Sequence, residues 1–560
     1  MTAKPAHAPP PPFAGKQNGE ITLATSTRIA RIVAVSGSQA VAIIDAQARE
    51  RNEGRIEIGA LMKVETPRSM VMGLISAVTT PMPEDRETQT TDIELVELNL
   101  AGEIVHDDMG LRAFRRGVTS VPSVGDAVHL AQWEDLRLVY ANPDSAAIDI
   151  GTLFQDSRVP ARLLIDDLFG KHFIVVGTTG CGKSSALTCI LQSVIAGHQH
   201  ARVVMLDVHN EYPGAFGEMA ELVDQNNLRL PFWLLNFQEL TAAFVSTDHW
   251  RDAEIEILSE AVVISKRKYS EAQSSRLRRT TEAAGLTVDT PTPFRLSDIV
   301  AFIDDQLGKL ERSQATTPYR RLKARVETLV ADPRYSFMFG SLMIEDTMTS
   351  VLSQLFRIPT GGKPVTVINL ASVPTEILDV VISLLSRLAF DLAVWSDGAA
   401  PMLLVCEEAH RYAPTGHSDE FMPTRQALSR IAKEGRKYGV SLALITQRPS
   451  ELDPTILSQC STVIAMRLST ERDQAVIRAN THEGALDLLD FLPLLGDREA
   501  IVLGQGVAMP MRVKFKTVQA ARLPTIRHEG FSKGWTNTDF DTNALEEVVR
   551  RWRLSLRAKS

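Results

Sequence analysis

The chain has 560 residues, of which 44% are hydrophobic and 23% are charged. This length is too great for one hydrophobic core, so we expect a soluble globular protein with several domains or with one domain that carries large insertions. The net charge of −8 excludes a globally basic surface. Any nucleic-acid site therefore has to be a local basic patch or the lining of a channel.

The cysteines and the apolar segments bear on the location of the protein. The four cysteines lack the short spacings of a zinc site or a disulfide framework, which favours a reducing cytoplasm. They are Cys181, Cys189, Cys406 and Cys460. The most apolar helix-like segment, residues 377–395, contains Arg387 and Asp391, so it is not predicted to cross a membrane. We expect a cytoplasmic protein without membrane contact.

The N-terminal part divides into an arm and a β region. Residues 1–23 are rich in proline and are predicted to be a disordered arm. Residues 24–150 contain six short segments of alternating apolar residues, separated by Gly, Pro and Asp. These are RIARIVAVSG, AVAIIDA, IEIGALMKVETP, MVMGLISAVTT, DIELVELNLAGEIV and VGDAVHLAQW. The pattern predicts antiparallel strands that close into a small barrel with a role in assembly or partner contact.

A different pattern follows a predicted linker around ANPDSAAIDIGTLFQDSRVPA. Residues 151–515 alternate helices with short apolar strands, which are HFIVVG, ARVVMLDV, PMLLVCEE, GVSLALITQ, STVIAMRL and EAIVLGQG. Apolar runs of this length are typical of a parallel sheet that helices cover on both faces. Residues 240–350 are predicted to be a helical insertion in this α/β core. Residues 516–560 are predicted to be a tail with a short helix.

The segment GTTGCGKSS, which begins at Gly177, matches the phosphate-loop pattern G-x-x-x-x-G-K-[ST] and lies between an apolar strand and a helix. In such a loop, backbone N–H groups surround phosphate oxygens at the N-terminus of the helix. We expect Lys183 to reach the β- and γ-phosphates and Ser184 to be a Mg²⁺ ligand. The predicted ATP-binding residues are Gly177, Thr178, Thr179, Gly180, Cys181, Gly182, Lys183, Ser184 and Ser185.

The segment PMLLVCEE ends in two adjacent carboxylates, Glu407 and Glu408. A phosphate loop binds nucleotide, but hydrolysis also requires a group that orients and activates a water molecule. If this strand neighbours the phosphate loop, Glu407 can hold the hydrated metal and Glu408 can activate the water. The alternative is a solvated strand end that is acidic by chance.

Two other strand ends are predicted at the same edge of the sheet. VVMLDVHNEY contains Asp207, His209 and Glu211, and GVSLALITQRP contains Gln447. The neutral amide of Gln447 suits sensing of a γ-phosphate or positioning of the water. Asp207 is a further predicted Mg²⁺ ligand, although capping of a turn is the alternative for Asp207 and Glu211. His209 lacks a companion at the spacing of metal ligands on a helix.

The segment TRQALSRIAKEGRKYGVS is predicted to be a helix with a basic face that leads into the Gln447 strand. A basic face of this kind is usually only solvated. In ring ATPases, however, an arginine from one subunit often completes the site of the next, and Arg436 and then Arg430 are the candidates. The bases of the helical insertion either line a pore or are solvated. They include Lys266, Arg267, Lys268, Arg276, Arg278 and Arg279.

Five segments together resemble the HerA family of the HerA/FtsK group of hexameric DNA translocases. They are KHFIVVGTTGCGKSS, MLDVHNEY, CEEAHRYAP, LSRIAKEGRKYGVSLALITQRP and LPLLGDREAIVLG, and the resemblance covers about residues 24–515. It implies an α/β fold, with a RecA-like P-loop core that carries a helical insertion and follows a small N-terminal β-barrel similar to that of rotary ATP synthase subunits. It also implies a homohexamer with ATP and Mg²⁺ between subunits and DNA in a central pore.

The family's site roles carry over to Lys183, Ser184, Glu408 and Gln447 and, as the arginine that acts in trans, to Arg436. One position departs from the family pattern, since Glu407 occupies a metal-side position that is often Asp. The implied function is ATP-driven translocation or unwinding of duplex DNA. The implied partner is a separately encoded nuclease or NAD hydrolase, in DNA end processing or anti-phage defence. The alternative is a nucleotide-regulated ring scaffold that assembles and activates an effector with little translocation.

Overall fold

A computed structural model describes the greater part of the chain. The described residues are 28–46, 56–80, 94–106, 112–141, 146–224, 226–273, 285–309, 316–340, 344–416, 422–481, 483–519, 522–524 and 542–557. Within them the chain forms two β-sheets and a set of helices. The arm predicted for residues 1–23 lies outside the described residues, and so do Arg276, Arg278 and Arg279.

The first sheet is a closed barrel. Its strands are β1 Ala30–Ser36, β2 Gln39–Ile44, β3 Leu61–Glu65, β4 Met70–Thr79, β5 Leu95–His106, β6 Arg112–Arg116 and β7 Ala127–Leu130. The ring runs β2-β1-β7-β3-β4-β5 and closes where β5 pairs with β2. Alternate apolar residues, among them Ile32, Val64 and Val96, fill its interior. The six ring strands are those that the sequence predicts, so the barrel is confirmed. The polar strand β6, which pairs with the second half of β5, was missed.

The second sheet has eleven strands in the order β12-β13-β11-β14-β15-β10-β16-β17-β18-β8-β9. The strands are β8 Ala147–Leu153, β9 Pro160–Leu164, β10 His172–Val176, β11 Val203–Asp207, β12 Ala220–Val223, β13 Val365–Asn369, β14 Met402–Cys406, β15 Val440–Thr446, β16 Cys460–Ala465, β17 Glu499–Gly504 and β18 Met511–Phe515. The first seven strands in this order are parallel, and the remaining four are antiparallel to their neighbours.

Two predictions about this sheet are wrong in detail, and the condition set for the glutamate strand, that it neighbours the phosphate loop, is not met by direct strand pairing. EAIVLG forms β17, which is antiparallel to β16. Its run of buried residues is the same in either direction, so the pattern could not fix the direction. The predicted linker contains the hairpin β8–β9, whose alternating residues extend the edge of the sheet. Finally, β14 is not adjacent to the P-loop strand β10, because β15 lies between them.

The helices surround the second sheet and form the insertion. They are α1 Trp133–Tyr140, α2 Ile165–Phe169, α3 Lys183–Gly197, α4 Phe237–Phe244, α5 Arg251–Gln273, α6 Leu296–Lys309, α7 Thr317–Ala331, α8 Ser336–Phe339, α9 Met348–Phe356, α10 Thr375–Trp395, α11 Met422–Tyr438, α12 Pro454–Ser458, α13 Glu471–Ala479 and α14 Thr542–Arg557. Helices α4 to α9 lie between β12 and β13, which confirms a helical insertion in the α/β core. Among the helices that the structure describes, none is both long and apolar enough to cross a membrane.

Lys266 of α5 is fully buried, so the prediction that it lines a pore or a solvated face is wrong. Its Nζ donates hydrogen bonds of 2.6 Å to the carbonyl oxygens of Val288 and Thr290. The same atom lies 5.7 Å from the centroid of the Phe294 ring. Burial lowers the pKa of Lys266 to about 8. The Lys266 amine therefore holds the segment that precedes α6 against α5.

We expect the stability of the wild type, relative to Lys266→Met, to rise as the pH is raised from about 8 to 10. Near pH 7 the amine is protonated in the folded and unfolded states, and its burial costs stability. As the pH rises through about 8, the folded state loses this proton before the unfolded state does, which relieves a cost on the order of 1–3 kcal/mol. Unfolding by urea at pH 7, 8, 9 and 10 measures the difference.

The exposed Lys268 of the same helix provides a matched control for this experiment. Its side chain is 53% exposed and lies 3.6 Å from Asp298. The substitution Lys268→Met should shift stability by a similar small amount at each pH. A stability difference between the wild type and Lys266→Met that stays constant from pH 7 to 10 would contradict the assignment of a strained, buried amine.

Candidate active site

The phosphate loop connects the end of β10 to the start of α3. Gly180 and Gly182 have φ angles of +80° and +101°, a conformation that favours glycine. At Gly177 there is no room for a side chain, since a Cβ atom would lie 2.6 Å from the Sγ atom of Cys181. These glycines allow the tight turn that brings the loop backbone to the N-terminus of α3, where backbone N–H groups attract anions.

Two side chains at the start of α3 are held by neighbouring residues. The Nζ atom of Lys183 donates to the carbonyl oxygen of Thr178 at 3.1 Å, so the amine folds back over the loop. The hydroxyl of Ser184 donates to Oε2 of Glu211 at 2.6 Å. Ser185 is half-buried on the next position of the helix. Lys183 therefore lies against the loop, and Ser184 faces the chain that follows β11.

The parallel pairing of β15 with β10 and with β14 brings three strand ends to one edge. Val176, the last residue of β10, is in register with Thr446, and Cys406 of β14 is in register with Leu444. Gln447, which follows Thr446, accepts a hydrogen bond at Oε1 from the hydroxyl of Thr179 in the phosphate loop. The structure therefore places Gln447 against the loop, between the phosphate loop and the glutamate pair.

Glu407 and Glu408 are buried, with only 3% and 7% of their surfaces exposed, which excludes a solvated strand end. Glu408 has φ of +47°, and this left-handed residue turns the chain into a short 3₁₀ helix, Ala409–Arg411. Among the described residues, neither Oε2 of Glu407 nor Oε2 of Glu408 has a hydrogen-bond partner. A buried carboxylate oxygen without a partner is costly and indicates a ligand position.

Burial, together with the negative charges of Asp207, Glu211 and Glu408, raises the pKa of Glu407 to about 10. At neutral pH the Glu407 carboxyl therefore holds a proton among several carboxylates. A divalent cation could replace this proton, because hard cations prefer oxygen ligands and favour the ionised carboxylate.

Asp207 is fully buried and caps a turn. Its Oδ1 accepts from the backbone N–H of Glu211 at 3.1 Å, and its Oδ2 accepts from that of Tyr212 at 3.0 Å. Asp207 therefore caps the turn, as the alternative reading of the sequence expected, and its role as a metal ligand stays a prediction. Glu211, for which the sequence also left capping open, instead contacts Ser184.

A three-residue group that the sequence analysis did not assemble lies beside Ser184. One ligand atom each from His209, Glu211 and Glu407 lies within 4.8 Å of the others. His209 has no second metal ligand at helical spacing along the chain, but the fold brings Glu407, which follows β14, close to it. Nε2 of His209 also lies 3.0 Å from Nη1 of Arg411. No sequence spacing indicates this group, because its members come from two strand ends that only the sheet order brings together.

The sequence analysis also missed two arginines that flank the phosphate loop. The carbonyl oxygen of Arg467 accepts from the N–H of Thr178 at 2.8 Å, and the N–H of Arg498 donates to the carbonyl oxygen of Cys181 at 3.3 Å. Arg498 has φ of +62°, a conformation that is uncommon for a residue with a side chain. Its segment LPLLGDREAIVLG carries a family resemblance but no pattern with a chemical meaning of its own.

The two candidate trans arginines lie on α11. Arg430 lies over the ring of Phe390, 4.4 Å from the centroid, and 3.8 Å from Asp391. Arg436 is exposed at the end of the helix, and its carbonyl oxygen accepts from the N–H of Gly439 at the start of β15. Because β15 spans about 20 Å, Arg436 lies near the sheet edge opposite to Gln447 and cannot contact the phosphate loop of its own subunit.

The parallel sheet, with the glutamine strand between the P-loop strand and the glutamate strand, defines a RecA-like P-loop ATPase. Residues 148–389 match the family model described as "Helicase HerA, central domain". In this region the chain is similar to the central domain of the HerA helicase family.

Relatives are similar to this chain over most of its length. The DNA double-strand break repair helicase HerA of Saccharolobus solfataricus is 26% identical over 483 residues, which cover 82% of this chain and 88% of that protein. The protein of the same name from Pyrococcus furiosus is 25% identical over 443 residues, which cover 71% of this chain and 74% of that protein.

Two solved structures are similar at lower identity. VirB4 of Thermoanaerobacter pseudethanolicus has a TM-score of 0.48 and 15% identity, and the match covers 68% of this chain and 99% of that chain. The plasmid coupling protein TrwB, in complex with ADP and Mg²⁺, has a TM-score of 0.45 and 15% identity, with coverage of 70% of this chain and 94% of that chain.

We expect Asp207→Asn to destabilise the folded protein by about 1–3 kcal/mol, because the amide offers one acceptor oxygen where two N–H groups, one buried and one partly buried, need one each. Chemical unfolding followed by circular dichroism measures the change. Glu218→Gln, an exposed carboxylate further along the same connection, is the matched control. Equal stability of the two variants would show that Asp207 does not hold the turn.

Proposed function

We propose that the protein is an ATP-driven motor that moves duplex DNA through the centre of a ring of six identical subunits. One observation carries the proposal, namely that a buried glutamate with an unpartnered oxygen, Glu408, lies at the same sheet edge as the phosphate loop and Gln447. The names of the relatives support the choice of DNA, since they are described as DNA double-strand break repair helicases.

The residues at this edge fit MgATP. Lys183 and the loop backbone would hold the phosphates, and Ser184, Glu211 and Glu407 would hold the metal directly or through water. When bound, Mg²⁺ neutralises phosphate charge and polarises the phosphoryl oxygens. The fit rests on hard oxygen donors and on the unpartnered Oε2 of Glu407. We keep Glu407 from the sequence prediction and add Glu211 to the proposed ligands.

Hydrolysis requires a water molecule in line with the γ-phosphate. Glu408 would orient this water and accept its proton, because its carboxylate is buried beside the loop and one oxygen is free of protein partners among the described residues. Gln447 would hold the same water or the γ-phosphate through its amide, which already contacts Thr179. Glu408, Glu407 and Gln447 thus retain the roles predicted from the sequence.

The site would be completed by a neighbouring subunit. Arg436 is exposed and lies far from the phosphate loop of its own chain, so it can serve only the site of another copy. A guanidinium in that position would stabilise charge that develops on the transferred phosphoryl group. Arg430 is the weaker candidate, because its guanidinium packs on Phe390 near Asp391.

The identity of further partners follows from the family resemblance alone. A separately encoded nuclease or NAD hydrolase stays a prediction, and so does a role in DNA end processing or anti-phage defence. Within the described part of the insertion, Lys266 is excluded as a DNA contact because it is buried. Arg267 and Lys268 are exposed and are the remaining candidates from this cluster.

We expect Glu408→Gln to hydrolyse ATP about 10²–10⁴-fold more slowly than the wild type while it still binds ATP, because the amide cannot accept the proton of the water. Linear duplex DNA should stimulate the wild type. Steady-state ATPase assays with and without duplex DNA measure both effects, with the exposed Glu434→Gln as the control. Full activity of Glu408→Gln, or a wild type that ignores duplex DNA, would refute the motor.

We expect Glu211→Gln to raise the Mg²⁺ concentration at the midpoint of nucleotide binding by about 10–100-fold, because the substitution removes a charged oxygen ligand beside Ser184. Binding of a fluorescent ADP analogue, titrated with Mg²⁺, measures the shift independently of hydrolysis. Binding in EDTA should be the same for the variant, for the control Glu218→Gln and for the wild type. An unchanged Mg²⁺ midpoint would remove Glu211 from the metal site.

A further inference from the structure

His410 follows the glutamate pair in the chain and is not used in the mechanism above. Its side chain is only 9% exposed. Its Nδ1 atom lies 2.9 Å from the hydroxyl oxygen of Thr446 and 3.3 Å from Oε2 of Glu408. One ring nitrogen therefore faces both the glutamate that activates water and the last residue of β15.

Thr446 connects this ring to the opposite part of the site. The residue is fully buried, and its hydroxyl accepts from the N–H of Arg448 at 3.0 Å. The intervening residue is Gln447, whose amide contacts Thr179 of the phosphate loop. Side-chain contacts and one peptide link therefore run without interruption from the phosphate loop to Glu408, through Gln447, Thr446 and His410.

The carboxylate of Glu408 needs a support of this kind. Its backbone is left-handed, which costs energy for a residue with a side chain, and its Oε2 has no hydrogen-bond partner among the described residues. The Nδ1 atom of His410 is slightly beyond the usual range for a hydrogen bond to this oxygen. Hydrogen bonds of catalytic groups often tighten only in the transition-state complex.

We propose that His410 is a positioning residue that carries its proton on Nδ1 and shares this N–H between two acceptors, Oγ1 of Thr446 and Oε2 of Glu408, so that the glutamate is aimed only when the Gln447 strand end is in place. The inference rests on the proposed function, because it assigns His410 a role through the water-activating Glu408. Burial lowers the pKa of His410, so the ring is neutral and has a single N–H to donate.

The test compares two replacements of His410. Asparagine places an amide N–H near the position of Nδ1, whereas leucine fills similar space without a donor. We expect His410→Leu to lower kcat for ATP about 10–100-fold while the affinity for ATP stays within about twofold, and His410→Asn to recover most of kcat. Equal losses in the two variants, or a loss of ATP affinity that accounts for the change, would overturn the inference.

Substitutions of Thr446 test the role of His410 independently, and they remain informative if His410→Leu does not fold. Thr446→Val removes the hydroxyl, and Thr446→Ser retains it. We expect Thr446→Val to lower kcat by about tenfold and Thr446→Ser to have a kcat close to that of the wild type. In the double variant, Thr446→Val should add little to the loss of kcat that His410→Leu causes alone. Costs that add fully in the double variant, or equal costs for valine and serine, would overturn the inference.

Glu408→Gln in the same assay distinguishes a failure of the role proposed for His410 from a failure of the proposed hydrolysis mechanism. If Glu408→Gln is inactive and His410→Leu has the wild-type kcat, the positioning role alone falls. If Glu408→Gln retains full activity, the proposed mechanism and the role of His410 fall together.

Discussion

β15 pairs in parallel with β10 on one side and with β14 on the other, and this pairing determines where each catalytic group lies. Parallel strands end at a common edge, so the phosphate loop, Gln447 and the glutamate pair converge although 230 residues separate Gly177 from Glu407. The two outer strands are about 10 Å apart. Gln447 follows the strand that lies in that interval, and it accepts a hydrogen bond from Thr179 of the phosphate loop.

The same convergence crowds negative charge. Asp207, Glu211, Glu407 and Glu408 lie near one another with little solvent around them, which is why the pKa of Glu407 is raised. Different contacts stabilise the individual carboxyl groups. Two backbone N–H groups stabilise Asp207, and Ser184 donates to Glu211. Glu407 retains its proton at neutral pH, so its carboxyl adds no further negative charge to the cluster.

Local patterns allowed much of the site to be predicted. The phosphate loop has a fixed spacing, and the two glutamates are adjacent after an apolar run, so neither depends on distant parts of the chain. The alternating segments predicted the six ring strands of the barrel for the same reason. The direction of β17 could not be predicted, because a strand with a fully buried centre has no alternation to orient it.

Other features arise only from tertiary contacts. The sequence predicts Asp207 as a metal ligand and leaves turn capping open for Asp207 and Glu211, and only the fold shows that Asp207 accepts from two N–H groups while Glu211 contacts Ser184. The group of His209, Glu211 and Glu407 requires β11 and β14 to be neighbours. Lys266 is one base in a basic run, and only the carbonyl oxygens of Val288 and Thr290 explain its burial. These contacts could not be predicted from the composition or from local sequence patterns.

The antiparallel strand β17, which the sequence placed in a parallel sheet, connects the site to the barrel. Just before it, the N–H of Arg498 donates to Cys181 in the phosphate loop. At its end, the carbonyl oxygen of Gly504 accepts from Nη2 of Arg116 in β6, at 2.8 Å. The phosphate-loop contact at Arg498 and the barrel contact at Gly504 are therefore separated by only five residues, all of them in this strand. One short strand thus lies against both the phosphate loop and strand β6 of the first sheet, so the same element positions the loop backbone at Cys181 and the barrel.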